Sequence, residues 1–248
     1  DRVVVGGSFD SLAGSPAANL GAVSAQDGDR VAGFAPQVAG RVYALEATTE
    51  LLYAGGAFGK VDGRSRSKLA AWSLPSGELS RDWRPRAVGG AVRDLELARR
   101  GRAIFVAGAF PQMAQGGTTS WRESVTKVDA TDGSLARWHT EPGRIGVPQT
   151  AWSVAARGRR LHGGFGRGPN FAASFVGVGD DGTRIWRYAV PGNVQTVELS
   201  PDGSRLFLGG HFGLGAGDGR ACGEDLRGLV SVDPATGEPF CDWIPQLA

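Results

Sequence analysis

One feature constrains this chain more than any other. A short apolar segment interrupted by glycine recurs five times: "VVVGGSF" (3–9), "LLYAGGAF" (51–58), "IFVAGAF" (104–110), "RLHGGF" (160–165) and "RLFLGGHF" (205–212). A recurrence at about 50 residues marks units that cannot bury an apolar face alone and must stack on their neighbours. A second element follows each copy. "NLGAVSAQDGDRVAGFAP" (19–36), "KLAAWSLPSGELSRDWRP" (68–85) and "GLVSVDPATGEPFCDWIP" (228–245) align without a gap. "SVTKVDATDGSLARW" (124–138) and "ASFVGVGDDGTRIW" (173–186) match with small deletions. A third element occurs four times, as "GRVYALEA" (40–47), "AVRDLELA" (91–98), "AWSVAARG" (151–158) and "VQTVELSP" (194–201).

Each repeat therefore reads as four strands: a (the third element), b (the glycine-interrupted one), c ("LAAW") and d ("W-x-P"). The repeats run approximately 1–39, 40–90, 91–150, 151–193 and 194–248. Tight polar turns join a to b. Between c and d, Gly77, Gly133, Gly182 and Gly237 occupy positions suited to a positive φ. No segment carries a helical period with caps. The expected fold class is all-β, a β-propeller of five blades of four antiparallel strands. Strand a occurs only four times, so the first blade is expected to be incomplete. Two forms are open: a five-bladed ring closed by pairing between the chain ends, which is preferred, or part of a larger ring. Glycine inside a strand costs about 0.5–1 kcal/mol, which close packing between neighbouring blades would offset. The ring at the d position (Phe34, Trp83, Trp138, Trp186, Trp243) reads as a wedge between sheets.

"LAAWSLPSGELSRDW" and "LVSVDPATGEPFCDW" resemble the alanine–aspartate–glycine–tryptophan docking motif of quinoprotein-type propellers. "VVVGGSF" and "LLYAGGAFGKVDG" are similar to the delta-60-type repeats of secreted bacterial propellers. The resemblance covers nearly the whole chain and rests on structural residues. It implies a secreted or envelope-associated, extracytoplasmic bacterial protein. It implies no quinone or other cofactor here, because the ring is too small and no cluster matches a quinone or calcium site.

The chemistry-bearing motifs are few. The 248 residues carry a formal net charge of +2, which argues against a nucleic-acid partner. Apolar runs are strand-sized, so no membrane span is expected. "GVGDDG" (177–182) precedes a strand rather than a helix and reads as a turn, not a phosphate site. His139, His162 and His211 lie in different repeats, and no metal site is expected. Cys222 and Cys241 are the two cysteines. In a secreted chain they are expected to pair, stapling the b–c loop of repeat five to strand d.

Loop lengths give the functional clue. In a meander, b–c and d–a connections share one face and a–b and c–d turns the other. The b–c connections are long and dissimilar, and binding concentrates on long loops held by a rigid scaffold. The candidate ligand- or partner-binding residues are Asp10, Asp62, Arg64, Arg66, Trp121, Arg122, Glu123, His211 and Asp218. Two classes of function follow. The first is a non-catalytic propeller that recognises a glycan or protein partner, alone or within a larger chain or assembly. The second is a glycoside hydrolase or lyase using carboxylates at the propeller mouth, with Asp10, Asp62, Glu123 and Asp218 as candidates.

Overall fold

The computed structural model describes the chain except residues 1, 75, 99, 141–148, 168–169, 178–181, 213–219, 226 and 246–248. All regular structure among the described residues is β; there is no helix, hence none long and apolar enough to cross a membrane. Repeat one contains β1 (Arg2–Gly6), β2 (Ser11–Leu12), β3 (Ser15–Pro16) and β4 (Leu20–Ser24). Repeat two contains β5 (Val38–Ala47), β6 (Leu51–Val61), β7 (Arg64–Ser65), β8 (Leu69–Ser73) and, at its end, β9 (Arg86–Val88). Repeat three contains β10 (Val92–Leu97), β11 (Ala103–Gly108), β12 (Gln112–Gln115), β13 (Thr118–Trp121), β14 (Val125–Asp129) and β15 (Leu135–His139). Repeat four contains β16 (Thr150–Arg157), β17 (Arg160–Gly166), β18 (Phe171–Val176) and β19 (Arg184–Ala189). Repeat five contains β20 (Gly192–Leu199), β21 (Leu206–Phe212), β22 (Arg220–Ala221), β23 (Glu224–Asp225) and β24 (Leu229–Val232).

The main sheets are antiparallel meanders. Repeats three and four form the orders β10-β11-β14-β15 and β16-β17-β18-β19. In repeats one, two and five the d segment shrinks to a single bridge: Val23 to Arg30, Trp72 to Leu79 and Val232 to Pro239. Pro239 has no N–H to extend a ladder. A bulge recurs in each a strand, between Val42 and Ala44, Val92 and Asp94, Ala151 and Ser153, and Val194 and Thr196. It aligns the repeats independently of the sequence.

That alignment explains the glycines of strand b. A Cβ on Gly6 would stand 2.7 Å from the Val42 Cγ1 methyl of repeat two, and one on Gly164 2.7 Å from Val194 Cγ1 of repeat five. Gly55 faces Val92 of repeat three in the same way. The equivalent residue in repeat three is Ala107, and the next repeat there supplies Ala151 instead of valine. Small faces large or alanine faces alanine, so the gap between neighbouring sheets stays filled. The second glycine, Gly56, is required by the Arg41 carbonyl of its own sheet.

The d rings also act between repeats. Trp83 Nε1 donates to the Asp129 carbonyl (3.0 Å), Trp138 Nε1 to Val176 (2.6 Å) and Trp186 Nε1 to Pro234 (3.0 Å). Each acceptor lies at the end of strand c in the following repeat or, for Pro234, two residues beyond it. Gly237 has φ 80°, and a Cβ there would be 2.7 Å from Trp186 Cε3. Gly77, Gly133 and Gly237 have the expected positive φ. Gly182 does not; it is needed because the His139 carbonyl fills the place of a Cβ. His162 is the b-strand ring of repeat four, buried against Trp186 as Tyr53 is against Trp83.

The preferred closure is not seen. β1 pairs with β4 alone, and no pairing among the described residues joins the two chain ends. Accordingly Val3 is 51% exposed, a Cβ on Gly28 would meet nothing within 4 Å, and Trp243 is only half-buried.

Candidate binding site

In repeats one, two, three and five the b–c connections fold into hairpins. Four two-residue turns have positive φ at both central residues: Ala13–Gly14, Asp62–Gly63, Gly116–Gly117 and Cys222–Gly223. That is the requirement of type I′ hairpins, and Asp-Gly is a strong sequence signal for one. Each hairpin is tied to the d segment of its own repeat. Arg30 Nη1 donates to the Pro16 carbonyl in repeat one. Arg66 Nη2 donates to Ser80 (2.8 Å) in repeat two, and Arg122 Nη2 to Ala136 (3.3 Å) in repeat three. In repeat five the Cys222–Cys241 disulfide does this work, with Cα atoms 5.4 Å apart.

The d–a connections meet the hairpins on the same side. Asp62 exchanges two bonds with Gln37: its Oδ1 accepts from Gln37 N (2.7 Å) and its N donates to the Gln37 carbonyl (2.9 Å). β9 pairs with β12, which pairs with β13, forming a small three-stranded sheet. Register puts Val88, Gln112 and Trp121 in one cross-strand row, and Arg86, Ala114 and Thr119 in the next row on that face. Trp121 is 50% exposed and Val88 37%. A shallow 300 Å³ groove follows this face, lined by Ser67, Lys68, Arg86, Val88, Ala114 and Thr119 among others. A second cavity, of 520 Å³, lies beside it and is lined by Ser65, Arg66, Asp82, Arg84, Arg86, Gln115, Gly116 and Gly117. Arg86 lines both cavities.

The a strands carry a separate acidic ladder. Glu46 Oε2 accepts from Leu97 N (3.2 Å), Asp94 Oδ2 from Val154 N (2.8 Å) and Glu96 Oε1 from Ala156 N (2.9 Å). Each carboxylate satisfies a backbone N–H of the next repeat. Burial chiefly, and the neighbouring acids Glu46, Asp94 and Glu198, push Glu96 up to about 7. Burial likewise raises Asp94. Burial, then Arg160, holds His162 down to about 4. No group of three metal-ligating side chains stands together among the described residues.

The expected site residues divide accordingly. Arg64 and Arg66 come together with Arg84 and Arg86, a second R-x-R pair ("WRPRA") outside the expected set. Trp121 is presented as an exposed platform. Asp62 and Arg122 are structural ties, and the Arg122 Nε is buried without a partner. Glu123 is half-buried, and its carbonyl accepts from Thr140 Oγ1 (3.2 Å). Asp10 is exposed on repeat one, its carbonyl bonded to Ala17 N. His211 is exposed on repeat five, with Nδ1 3.3 Å from Gln195 Nε2. Neither lines the arginine cavity. Asp218 lies outside the described residues, as do four of the six residues of "GVGDDG".

No family model matches this sequence, and no curated protein matches it. In fold it is similar to the dihydro-heme d1 dehydrogenase NirN in complex with DHE, at TM-score 0.56 and 16% identity over 96% of this chain and 42% of that one. The computationally designed Ika8 protein gives 0.51 and 13% over 89% and 66%. The β-propeller domain of Myceliophteria thermophila Cps50 (Swd1) gives 0.48 and 13% over 82% and 55%. The chain thus spans less than half of the NirN chain. At these identities the likeness speaks for the fold alone, and at its TM-score the Swd1 domain adds nothing to it; the NirN likeness over 96% of the chain agrees with the β-propeller type of fold that the repeated antiparallel meanders form.

Proposed function

We propose that the chain is a non-catalytic binding propeller of a secreted or cell-surface bacterial protein, built from five delta-60-type repeats of four strands, the first of them incomplete. It recognises a glycan or protein partner through its hairpin side. One observation carries this reading: the β9–β12–β13 sheet presents an exposed tryptophan beside cations on a scaffold whose hairpins are individually tied down. A rigid aromatic platform with adjacent polar donors is the composition of a recognition surface. The Cys222–Cys241 disulfide supports an extracytoplasmic setting.

Among the described residues, the carboxylates with raised pKa are Asp94 and Glu96, and both are engaged by backbone N–H groups of the next repeat. They serve the contact between repeats. The hydrolase reading therefore has no observation of its own. A glycan array combined with a reducing-end release assay on the glycans that bind tests the proposal. Binding without release is expected; release of reducing ends would replace it with the hydrolase reading.

A further inference from the structure

The hairpin side of repeats two and three gathers more positive charge than the fold uses. Arg66, Arg84 and Arg86 line the 520 Å³ cavity. Arg66 is only 6% exposed; its Nη atoms go to the Ser65 and Ser80 carbonyls, and its Nε is buried with no partner. Burial chiefly, and then the nearby Arg84 and Arg64, lower its proton affinity. Asp82 is the single carboxylate lining it, and among the described residues no ion pair joins it to an arginine. Uncompensated like charge around a concave site is relieved by a bound anion.

The cleft on the opposite side is a useful contrast. It measures 410 Å³ and is also lined by cations: Arg102, Lys127, Arg157 and Arg160. There the charges are largely engaged. Arg157 donates to the Ser200 and Pro201 carbonyls, and Arg160 to Pro234 and Ala235. Lys127 lies over the Phe105 and Trp138 rings. Arg84 and Arg86, by contrast, are exposed and make no such bonds among the described residues.

The geometry points to an acidic glycan as the occupant of the arginine cavity, with its carboxylate or sulfate groups held by the exposed Arg84 and Arg86, the buried Arg66 guanidinium adding positive charge behind them, and a sugar ring laid on Trp121. This deepens, and rests on, the binding reading above. Guanidinium groups fork such oxyanions with paired N–H donors. The remaining lining, the Ser65 hydroxyl and the open Gly116–Gly117 tip, matches sugar hydroxyls better than apolar side chains. Register places Trp121 on the face that also carries Arg86, so one ligand can span platform and cations.

The test is binding by calorimetry at low and high salt. The probes are an oligogalacturonate, its fully methyl-esterified counterpart, dextran sulfate and poly-glutamate. The expected result is binding of oligogalacturonate or dextran sulfate that weakens with salt, with the ester at least tenfold weaker. Which of the two acids binds better identifies carboxylate or sulfate. Arg84→Gln/Arg86→Gln, at two exposed positions, should weaken acid binding at least tenfold with an unchanged melting temperature. The inference is overturned if the ester binds as tightly as the acid, if the arginine variant binds as the parent does, or if poly-glutamate binds through the same arginines as tightly as the glycans. Ester binding that Trp121→Ala removes and the arginine variant does not would overturn the anion site while leaving the binding reading standing. If no probe and no arrayed glycan or protein binds, both fail.

Discussion

Replacing Gly55 by alanine places a methyl group against the buried Val92 side chain of the next repeat, far inside contact distance of Cγ1 and 3.2 Å from Cβ. Overpacking of this kind costs about 1–3 kcal/mol, and relief of the glycine's own strand penalty returns about 0.5–1. A net destabilisation of about 1–2 kcal/mol follows, a fall in melting temperature of about 3–6 °C for a chain this long. Val92→Ala alone removes two buried methyl groups at about 0.8 kcal/mol each and leaves a cavity, for a loss of about 2–3 kcal/mol. The double variant recreates the Ala107–Ala151 pairing that the chain already uses one repeat further on. It should lose only about 1–2 kcal/mol rather than the sum of the singles, a favourable coupling of about 2 kcal/mol. Urea unfolding followed by tryptophan fluorescence measures all four proteins. A double variant whose loss equals the sum of the singles within about 0.5 kcal/mol would refute the small-faces-large account of the glycines.

Trp83→Phe loses the bond to the Asp129 carbonyl and should destabilise by about 1 kcal/mol or more; Trp243→Phe, at a half-buried ring, should change urea stability far less. Reducing the disulfide, which closes a separation of 19 residues, should cost about 3 kcal/mol, read as a melting shift with and without dithiothreitol. Glu96, raised to about 7, favours the folded state when protonated, so its contribution is present below about pH 4.5 and lost as pH rises to 7. His162, held at about 4, acts in the opposite sense, its stability falling as pH drops from 6.5 towards 4. The stability of Glu96→Gln relative to the parent therefore isolates the first group: it should rise between pH 5 and 8, and a flat difference would contradict the buried-acid ladder.

What was legible in the sequence was what the repeat makes periodic. The glycine-interrupted strands, the d rings and the glycines at positions 77, 133 and 237 each recur with the period of the fold, and each is a contact between adjoining sheets. The disulfide followed from having two cysteines in one repeat. Features whose residue types change from repeat to repeat, or whose partner is the backbone, were missed. Asp62–Gly63 carries the signature of a tight hairpin, yet its repeat-one and repeat-three counterparts, Ala13–Gly14 and Gly116–Gly117, share only the glycine. Arg66 and Arg122 looked like ligand-binding cations because their acceptors, backbone carbonyls of Ser80 and Ala136, leave no trace in sequence. The acidic ladder is hidden for the same reason: a carboxylate bonded to a backbone N–H has no partner residue type to recognise. Gly182 shows that a glycine in a turn can be there for closeness to a neighbouring chain instead of for its φ.

The central claim is that recognition belongs to the hairpin side of the propeller. It is tested most directly by comparing the parent, Trp121→Ala and Arg100→Ala on the same glycan and protein arrays. Trp121 stands exposed on the β9–β12–β13 sheet, and Arg100 lies in an a–b turn on the other side. The account predicts that Arg100→Ala keeps the parent's binding pattern while Trp121→Ala loses its strongest signals at least tenfold. Loss of binding in Arg100→Ala with Trp121→Ala unaffected would contradict it.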